Sequence, residues 1–302
     1  FAELLAGISR GGGAGKKKSC YPVRGVLSNE GLTDRSVGPA KFHSEPDTID
    51  FLGSPFQHGL VEVGPEEGAL TFEWTRGCPY RCNYCCWTIH SSPIRRFSKD
   101  YIVRDVRWAI EKGFEDATIC DSAVNHSDRY LGDLCSALTE ADPTRRLVFR
   151  AFFQYKRLTA KQTKLLEPVV DQIIPIIGLE TDDAFGLKAL NHPPFDREKF
   201  EQCVASLKKR RFFITMMTAV PGDTIDKIKR RVDYILSLGC SLIVFPLCIP
   251  PGTGLWKLRE KYGFDIDQEN MFVVRQIPTM SFDDYRRAIE YIYGLGLKER
   301  GM

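Results

Sequence analysis

From about residue 70 the chain alternates short, almost continuously apolar runs with longer stretches whose apolar positions recur at helical spacing. The short runs are rich in β-branched and aromatic residues, the composition of strands: 70–75 (LTFEWT), 116–121 (DATICD), 146–152 (RLVFRAF), 172–178 (QIIPIIG), 212–219 (FFITMMTA) and 241–248 (SLIVFPLC). Helical spacing covers 99–112, 128–140, 159–168, 182–190, 197–209 and 223–238. Strands and helices in strict alternation predict a parallel sheet covered by helices. Runs without a polar alternate predict strands buried on both faces. Six units fall short of the closed eight-strand barrel. The expected fold class is therefore α/β, a partial (β/α)6 parallel barrel.

The flanks read differently. Residues 1–69 form an irregular linker or arm: "FAELLAGISR" has helical spacing, "GGGAGKKKS" ends it, and a stretch rich in Gly, Pro and Ser follows. A chain opening on half a helix predicts that the arm follows a separate N-terminal domain. Residues 10–50 are expected to pack weakly on the barrel or to lie on it as an extended arm. The barrel is expected over 70–255 and a C-terminal helical extension over 256–302. There "PPGTGL" is a turn, and "TMSFDDYRRAIEYIY" is an amphipathic helix capped by Ser281 with Asp284 three residues on.

Composition narrows the class. With 302 residues, 43% hydrophobic and 27% charged, the chain has the make-up of a soluble globular protein. A net charge of +3 is too small to imply nucleic acid by itself, and no apolar run approaches the roughly 18 residues of a membrane span. "GGGAGKKKS" fails as a phosphate-binding loop, because Arg10 and Lys17 stand where Gly and Ser or Thr are required. The ten cysteines are mostly scattered through apolar runs, which suits a reducing cytoplasm rather than a disulfide framework.

The exception is "TRGCPYRCNYCCW", residues 75–87, with Cys78, Cys82, Cys85 and Cys86 within nine positions. It follows the first strand directly, at the end where parallel α/β folds place ligands. Three thiolates at 78, 82 and 85 suit three corners of a cubane iron–sulfur cluster, with the fourth iron open to a small ligand. Pro79 stiffens the loop, and Tyr84 supplies an aromatic face. Two readings of Cys86 stand: third ligand in a C-x3-C-x3-C set, or packing against the protein. Zinc is the competing, non-enzymatic class, with His90 completing the site; adjacent Cys85 and Cys86 rarely both reach one tetrahedral ion.

"CPYRCNYC" resembles the signature of the radical S-adenosylmethionine superfamily, C-x3-C-x-aromatic-C, and the resemblance extends over roughly 70–255. It implies a [4Fe-4S] cluster on Cys78, Cys82 and Cys85. The open iron chelates S-adenosyl-L-methionine, and one electron releases a 5′-deoxyadenosyl radical. It also implies a small-molecule substrate and an electron donor such as flavodoxin or ferredoxin, or a reductase partner. Tyr84 joins the cofactor site. Asp121, Ser122 and Asn125 in "CDSAVNHS" end the second strand where the family gathers the methionyl amino group. The usual Gly-Gly-Glu motif is missing there, and capping of the next helix is the equal alternative.

"IIGLETDD" resembles the G-x-E-S segment of the branch that often carries cobalamin. Glu180 is then a contact to ribose or the methionyl end, or else an acidic residue favouring the next helix N-terminus. Asp182 and Asp183 are read as structural. Arg150, Gln154 and Lys156 end the third strand, with Gln154 the preferred cofactor or substrate contact. "TAVPGDT" is close to the family's G-x-P-G-E-T turn, with Ala219 in place of Gly. Phe245, Pro246 and Leu247 offer contacts to adenine. Arg95 and Arg96 are read as a solvated pair.

"SEPDTIDFLGSPF" resembles the linker between cobalamin and radical domains, although none of the five histidines lies in a D-x-H-x-x-G motif. The resemblance thus implies two outcomes. One is methylation of an unactivated carbon, with cobalamin bound by a further domain. The other is radical dehydration, as in the enzymes that deoxygenate aminoglycoside sugars. RNA modification is the less favoured class, since no strong basic patch is visible. No residue stands out as a catalytic acid or base.

Overall fold

The structure is a computed structural model that describes residues 48–67, 70–88 and 93–296. Two compact units divide the chain, Phe1–Thr48 and Ile49–Met302, and the barrel lies in the second. The expected arm over 10–50 lies outside the described residues except for its last three positions, as does His90.

Six parallel strands follow one another in chain order around the sheet. They are β1 (Leu70–Phe72), β2 (Asp116–Ile119), β3 (Val148–Phe153), β4 (Ile173–Glu180), β5 (Phe213–Thr218) and β6 (Ser241–Pro246). Each pairs with the next in parallel, from Leu70↔Ala117 on β1–β2 to Thr218↔Pro246 on β5–β6. The partial (β/α)6 barrel expected from the alternation is the fold observed.

Helices α1 (Lys99–Glu111), α2 (Asp128–Ala141), α3 (Ala160–Leu165), α4 (Ala184–Ala189), α5 (Arg197–Leu207) and α6 (Ile225–Ser237) cover the outside. Each starts where the preceding residue accepts a backbone N–H from its first turn: Ser98, Ser127, Thr159, Asp183, Asp196 and Thr224. Such caps stabilise a helix by about 1 kcal/mol each and fix where the loop ends. The core lies between helices and sheet, around Phe72, Trp74, Phe149, Ile214 and Val244.

The two faces of the sheet are not equally buried. β4 and β5 are buried almost throughout, as expected for parallel strands. On β1 to β3 burial alternates, and the face opposite the helices stays open; Phe152 is 38% exposed there. β1 also stops at Phe72, short of the expected Thr75. The N–H groups of Trp74 and Thr75 leave the ladder for the Asp121 carboxylate.

Beyond β6 come α7 (Gly254–Lys257), an antiparallel hairpin of β7 (Asp265–Asp267) and β8 (Val273–Gln276), and α8 (Phe282–Gly294). The hairpin interrupts the expected helical extension. Ser281 and Asp284 form the expected capping box on α8. Thr279 donates to the Asp223 carbonyl, 2.7 Å, and Ala288 and Ile292 of α8 are fully buried. No helix among the described residues is long and apolar enough to cross a membrane.

Candidate functional site

The loop that leaves β1 carries Cys78, Cys82 and Cys85 across the C-terminal edge of the sheet. Cys82 is buried, and Cys78 and Cys85 are half-buried. Burial first, and then Glu180, Cys85 and Cys78, push the Cys82 thiol up to about 12. Burial likewise lifts Cys85 to about 12; a backbone N–H at Trp87 opposes this, while Cys86, Cys78 and Glu180 add to it. The Tyr80 N–H points at the Cys78 sulfur, 3.4 Å.

Several elements hold this loop. Asp121, at the end of β2, accepts the N–H groups of Trp74 (2.8 Å) and Thr75 (2.9 Å) on one oxygen and the Tyr130 hydroxyl (2.5 Å) on the other. Ser122 donates to the Gly77 carbonyl, 3.0 Å, one residue before the first thiol. Asn83 is pinned three ways: its N–H to the Leu190 carbonyl (2.7 Å), its amide to the Ala189 carbonyl (2.9 Å), and its carbonyl to the Leu255 N–H (2.8 Å). Asn191, in the left-handed region at φ +50°, donates to the Arg81 carbonyl at 2.6 Å. Arg157 donates to the Tyr80 hydroxyl, 2.9 Å. Sequence reasoning missed Asn83, Asn191 and Arg157.

Glu180 closes the site from β4. Burial raises its carboxyl to about 7, a rise that the neighbouring Tyr84 opposes. Tyr84 is in turn pushed up by burial and by Glu180. The structure thus brings Tyr84 and Glu180 together with the three thiols. The Tyr84 ring packs against the core.

The other sequence candidates sit on neighbouring strand ends. Asn125 brackets the Gln154 backbone, donating to its carbonyl (3.0 Å) and accepting its N–H (2.8 Å). The Gln154 side chain is half-buried. Phe245 is half-buried on the sheet face opposite Val244, away from the helices. Arg150 pairs with Asp116 at 2.6 Å, and Lys156 donates to the Pro194 carbonyl. Arg96 pairs with Asp133 at 3.7 Å. Asp182 and Asp183 pair with Arg231 (2.8 Å) and Lys227 (2.6 Å), an internal role in keeping with their structural reading.

Cys86 is exposed, at the start of a 3-10 turn over Cys86–Thr88. The expected packing against the protein does not occur, because the chain turns there instead of running on extended.

The donor set fits an iron–sulfur cluster. Three thiols on one loop face one another and a carboxyl, so a positively charged metal core would relieve their mutual repulsion.

Comparison with known proteins points the same way. The family model described as the Radical SAM superfamily matches residues 72–235. The cobalamin-dependent radical SAM methyltransferase TokK of Streptomyces tokunonensis is 33% identical over 153 residues, 47% of this chain and 21% of TokK. The ribosomal protein uS12 methylthiotransferase RimO of Heliobacterium modesticaldum is 22% identical over 254 residues, 79% of this chain and 52% of RimO. In fold, the radical S-adenosylmethionine methyltransferase TsrM of Kitasatospora setae aligns with a TM-score of 0.62 at 14% identity, covering 76% of this chain and 52% of TsrM. The chain thus spans about a fifth to a half of these relatives.

Proposed function

The chain belongs to the radical S-adenosylmethionine superfamily, and from that premise we propose that it is a radical enzyme acting on a small molecule of natural-product or sugar type. The outcome we favour is cobalamin-assisted methylation, on the strength of the likeness to TokK. The observation that carries the radical reading is the meeting of three loop thiols with Glu180 at the C-terminal edge of the sheet.

In this reading Cys78, Cys82 and Cys85 hold three irons of a [4Fe-4S] cluster and leave the fourth to S-adenosylmethionine. The bound pair would supply one-electron cleavage of the sulfonium and a 5′-deoxyadenosyl radical that abstracts hydrogen from substrate carbon. The chain's own residues do the positioning. Asp121 and Ser122 hold the start of the loop, and Asn83 and Asn191 its middle. Gln154 offers its amide at the rim, and Phe245 an apolar surface for the adenine. The open face of β1 to β3 leaves room for substrate beside the cluster. The electron comes from a flavodoxin- or ferredoxin-type donor, in the cytoplasm.

The test is anaerobic incubation of the reconstituted protein with S-adenosylmethionine and a chemical reductant, with and without cobalamin. Formation of 5′-deoxyadenosine supports the radical reading, and its absence from a cluster-loaded protein rejects it. Methyl transfer that needs cobalamin supports the favoured outcome. Product formation without methylation or cobalamin replaces it with radical dehydration.

A further inference from the structure

We propose that Lys156 and Arg157 form the binding site for an anionic group, a carboxylate or a phosphate, of the small-molecule substrate. Assigning that group to the substrate rests on reading the three-thiol loop as the cluster site. Both residues stand on the 3-10 turn Tyr155–Arg157 that follows β3, at the edge of the sheet that carries the thiols. The turn is fixed on two sides. Asn125 brackets the Gln154 backbone, and the Arg157 N–H closes on the Gln154 carbonyl at 3.0 Å. The Tyr155 hydroxyl accepts the Asp196 N–H, also at 3.0 Å, which ties the turn to the segment before α5. The two cations are fixed as well, and by neutral partners. Arg157 Nε donates to the Tyr80 hydroxyl at 2.9 Å, and its Nη1 donates to the His126 carbonyl at 3.1 Å. Lys156 donates to the Pro194 carbonyl.

What these bonds leave over is charge. Other cations near this edge are met by carboxylates: Arg76 by Glu73, Arg96 by Asp133, Lys227 by Asp183, and Arg231 by Asp182 and Asp223. Among the described residues neither Lys156 nor Arg157 forms an ion pair; each donates to an uncharged oxygen and keeps its full charge. Burial lowers the Lys156 ammonium, Asp196 opposes this, and Lys199 adds to it. Asp196 is itself committed, capping α5 and pairing with Lys199 at 3.8 Å. The positive field reaches both histidines of the rim. Burial pulls them down first; backbone bonds at Ala123 and Pro193 oppose this, while Arg157 and Arg96 add to it at His126 and Lys156 at His192. The thiol loop borders the same patch. Tyr80 lies between Cys78 and Cys82, and the next residue, Arg81, is a third exposed cation whose carbonyl accepts from Asn191 at 2.6 Å. With Nε and one hydrogen of Nη1 spent, the Arg157 fork keeps Nη2 for the oxygens of a carboxylate or phosphate. A fixed fork beside a half-buried ammonium suits one small anionic group better than the broad face a protein partner covers. An anion held there places the rest of the substrate beside the thiol loop, over the open sheet face that exposes Phe152.

The experiment titrates the full-length protein, reconstituted with iron and sulfide, with inorganic phosphate and separately with succinate. Isothermal calorimetry at constant ionic strength reads the dissociation constants, and the tighter probe tells phosphate from carboxylate. Arg157→Gln and Lys156→Gln are each expected to weaken binding on the order of tenfold, the loss of a charge-assisted hydrogen bond. Arg157→Lys keeps the charge without the fork and should weaken it less. Tyr80→Phe changes no charge, and should still weaken it about threefold by releasing the guanidinium. Lys209→Gln removes an exposed cation just past α5 and should stay within about twofold of wild type, because a distant exposed charge is screened. Binding of S-adenosylmethionine should be unchanged in Arg157→Gln; a parallel loss would hand the cation to that cofactor and overturn the assignment to substrate. Wild-type affinity in Arg157→Gln and Lys156→Gln, or an equal loss in Lys209→Gln, would overturn the site. So would a wild type that binds neither anion while Arg157→Gln slows cluster reduction by a flavodoxin, which would make the patch a docking face for the electron donor. Anion binding lost in Arg157→Gln, in a protein that takes up no cluster, would support the site and reject the reading of the loop.

Discussion

The Tyr130 hydroxyl donates to Asp121 Oδ2 across 2.5 Å, which frees Oδ1 to hold the N–H groups of both Trp74 and Thr75. One buried carboxylate thus ends β1 and starts the thiol loop. Asp121→Ala leaves three buried donors without a partner, at about 1–3 kcal/mol each if no water replaces the carboxylate. Asp121→Asn keeps an oxygen for the two N–H groups and lets its amide donate to the Tyr130 oxygen. Urea unfolding of the apo protein should show a loss of several kcal/mol for Asp121→Ala and a much smaller one for Asp121→Asn.

The same carboxyl sets a pH dependence. Burial lifts Asp121 to about 6, against the opposing pull of its three donors. Its folded value is therefore above the unfolded one, and the folded state binds the proton more tightly. The stability this contributes is fully present below about pH 4 and is lost as pH rises through the folded value. Wild type should lose stability relative to Asp121→Asn between pH 4 and pH 7, by roughly 2–3 kcal/mol at most. A difference that grows in favour of wild type with rising pH would contradict the sign.

Ala219, just past β5, is fully buried and held at φ +60°. The left-handed backbone costs a non-glycine residue roughly 1–2 kcal/mol. Ala219→Gly relieves that, but it gives up a buried methyl and loosens the unfolded chain by comparable amounts. The expected net change is within about 0.5 kcal/mol. Ala219→Val, β-branched at positive φ, should cost more than about 2 kcal/mol. Thermal unfolding of the two variants separates these outcomes, and equal melting points would count against strain at this turn.

Arg231 has a fully buried side chain and bridges Asp182 (2.8 Å) and Asp223 (2.9 Å), joining the exits of β4 and β5. Removing the cation leaves Asp223 buried without its partner. Arg231→Met should therefore cost about 3–5 kcal/mol, and Arg231→Met/Asp223→Leu should recover most of it. Asp182 is one-third exposed, so Asp182→Ala should cost far less.

What could be read in the sequence follows from where each signal lives. The six strands were legible because parallel strands show as apolar runs, and the thiols because they share one short loop. Glu180 stood out beside Gly178, and Ala219 stood where the resembling family has glycine, the residue a positive φ favours. The supports of the loop were hidden for a physical reason. Asn83 and Asn191 bond to backbone carbonyls of distant segments, and a carbonyl leaves no mark in sequence. Asp121 was legible as a polar strand end, but not the direction in which it would spend its oxygens. The β7–β8 hairpin was hidden because its strands are short and charged, with Asp265 and Asp267 in one and Arg275 in the other.

The last prediction concerns which cysteines hold iron. Cys78, Cys82 and Cys85 are buried or half-buried and repel one another as anions, while Cys86 is exposed at the start of a 3-10 turn. Each of the three must lose a proton to bind iron, and two of them resist this up to about 12, so uptake should release protons and run faster at pH 8 than at pH 6. Replacing Cys78, Cys82 or Cys85 by Ala removes one corner and should abolish the brown iron–sulfur absorbance after reconstitution. Cys86→Ala takes away an exposed thiol and should keep iron and sulfide within about twofold of wild type. Iron and sulfide analysis of the four single variants decides between the two possible sets. If Cys86→Ala loses the cluster and Cys85→Ala keeps it, the ligands follow C-x3-C-x3-C. In that case the 3-10 turn at Cys86 must open on binding, because it now turns that thiol toward solvent.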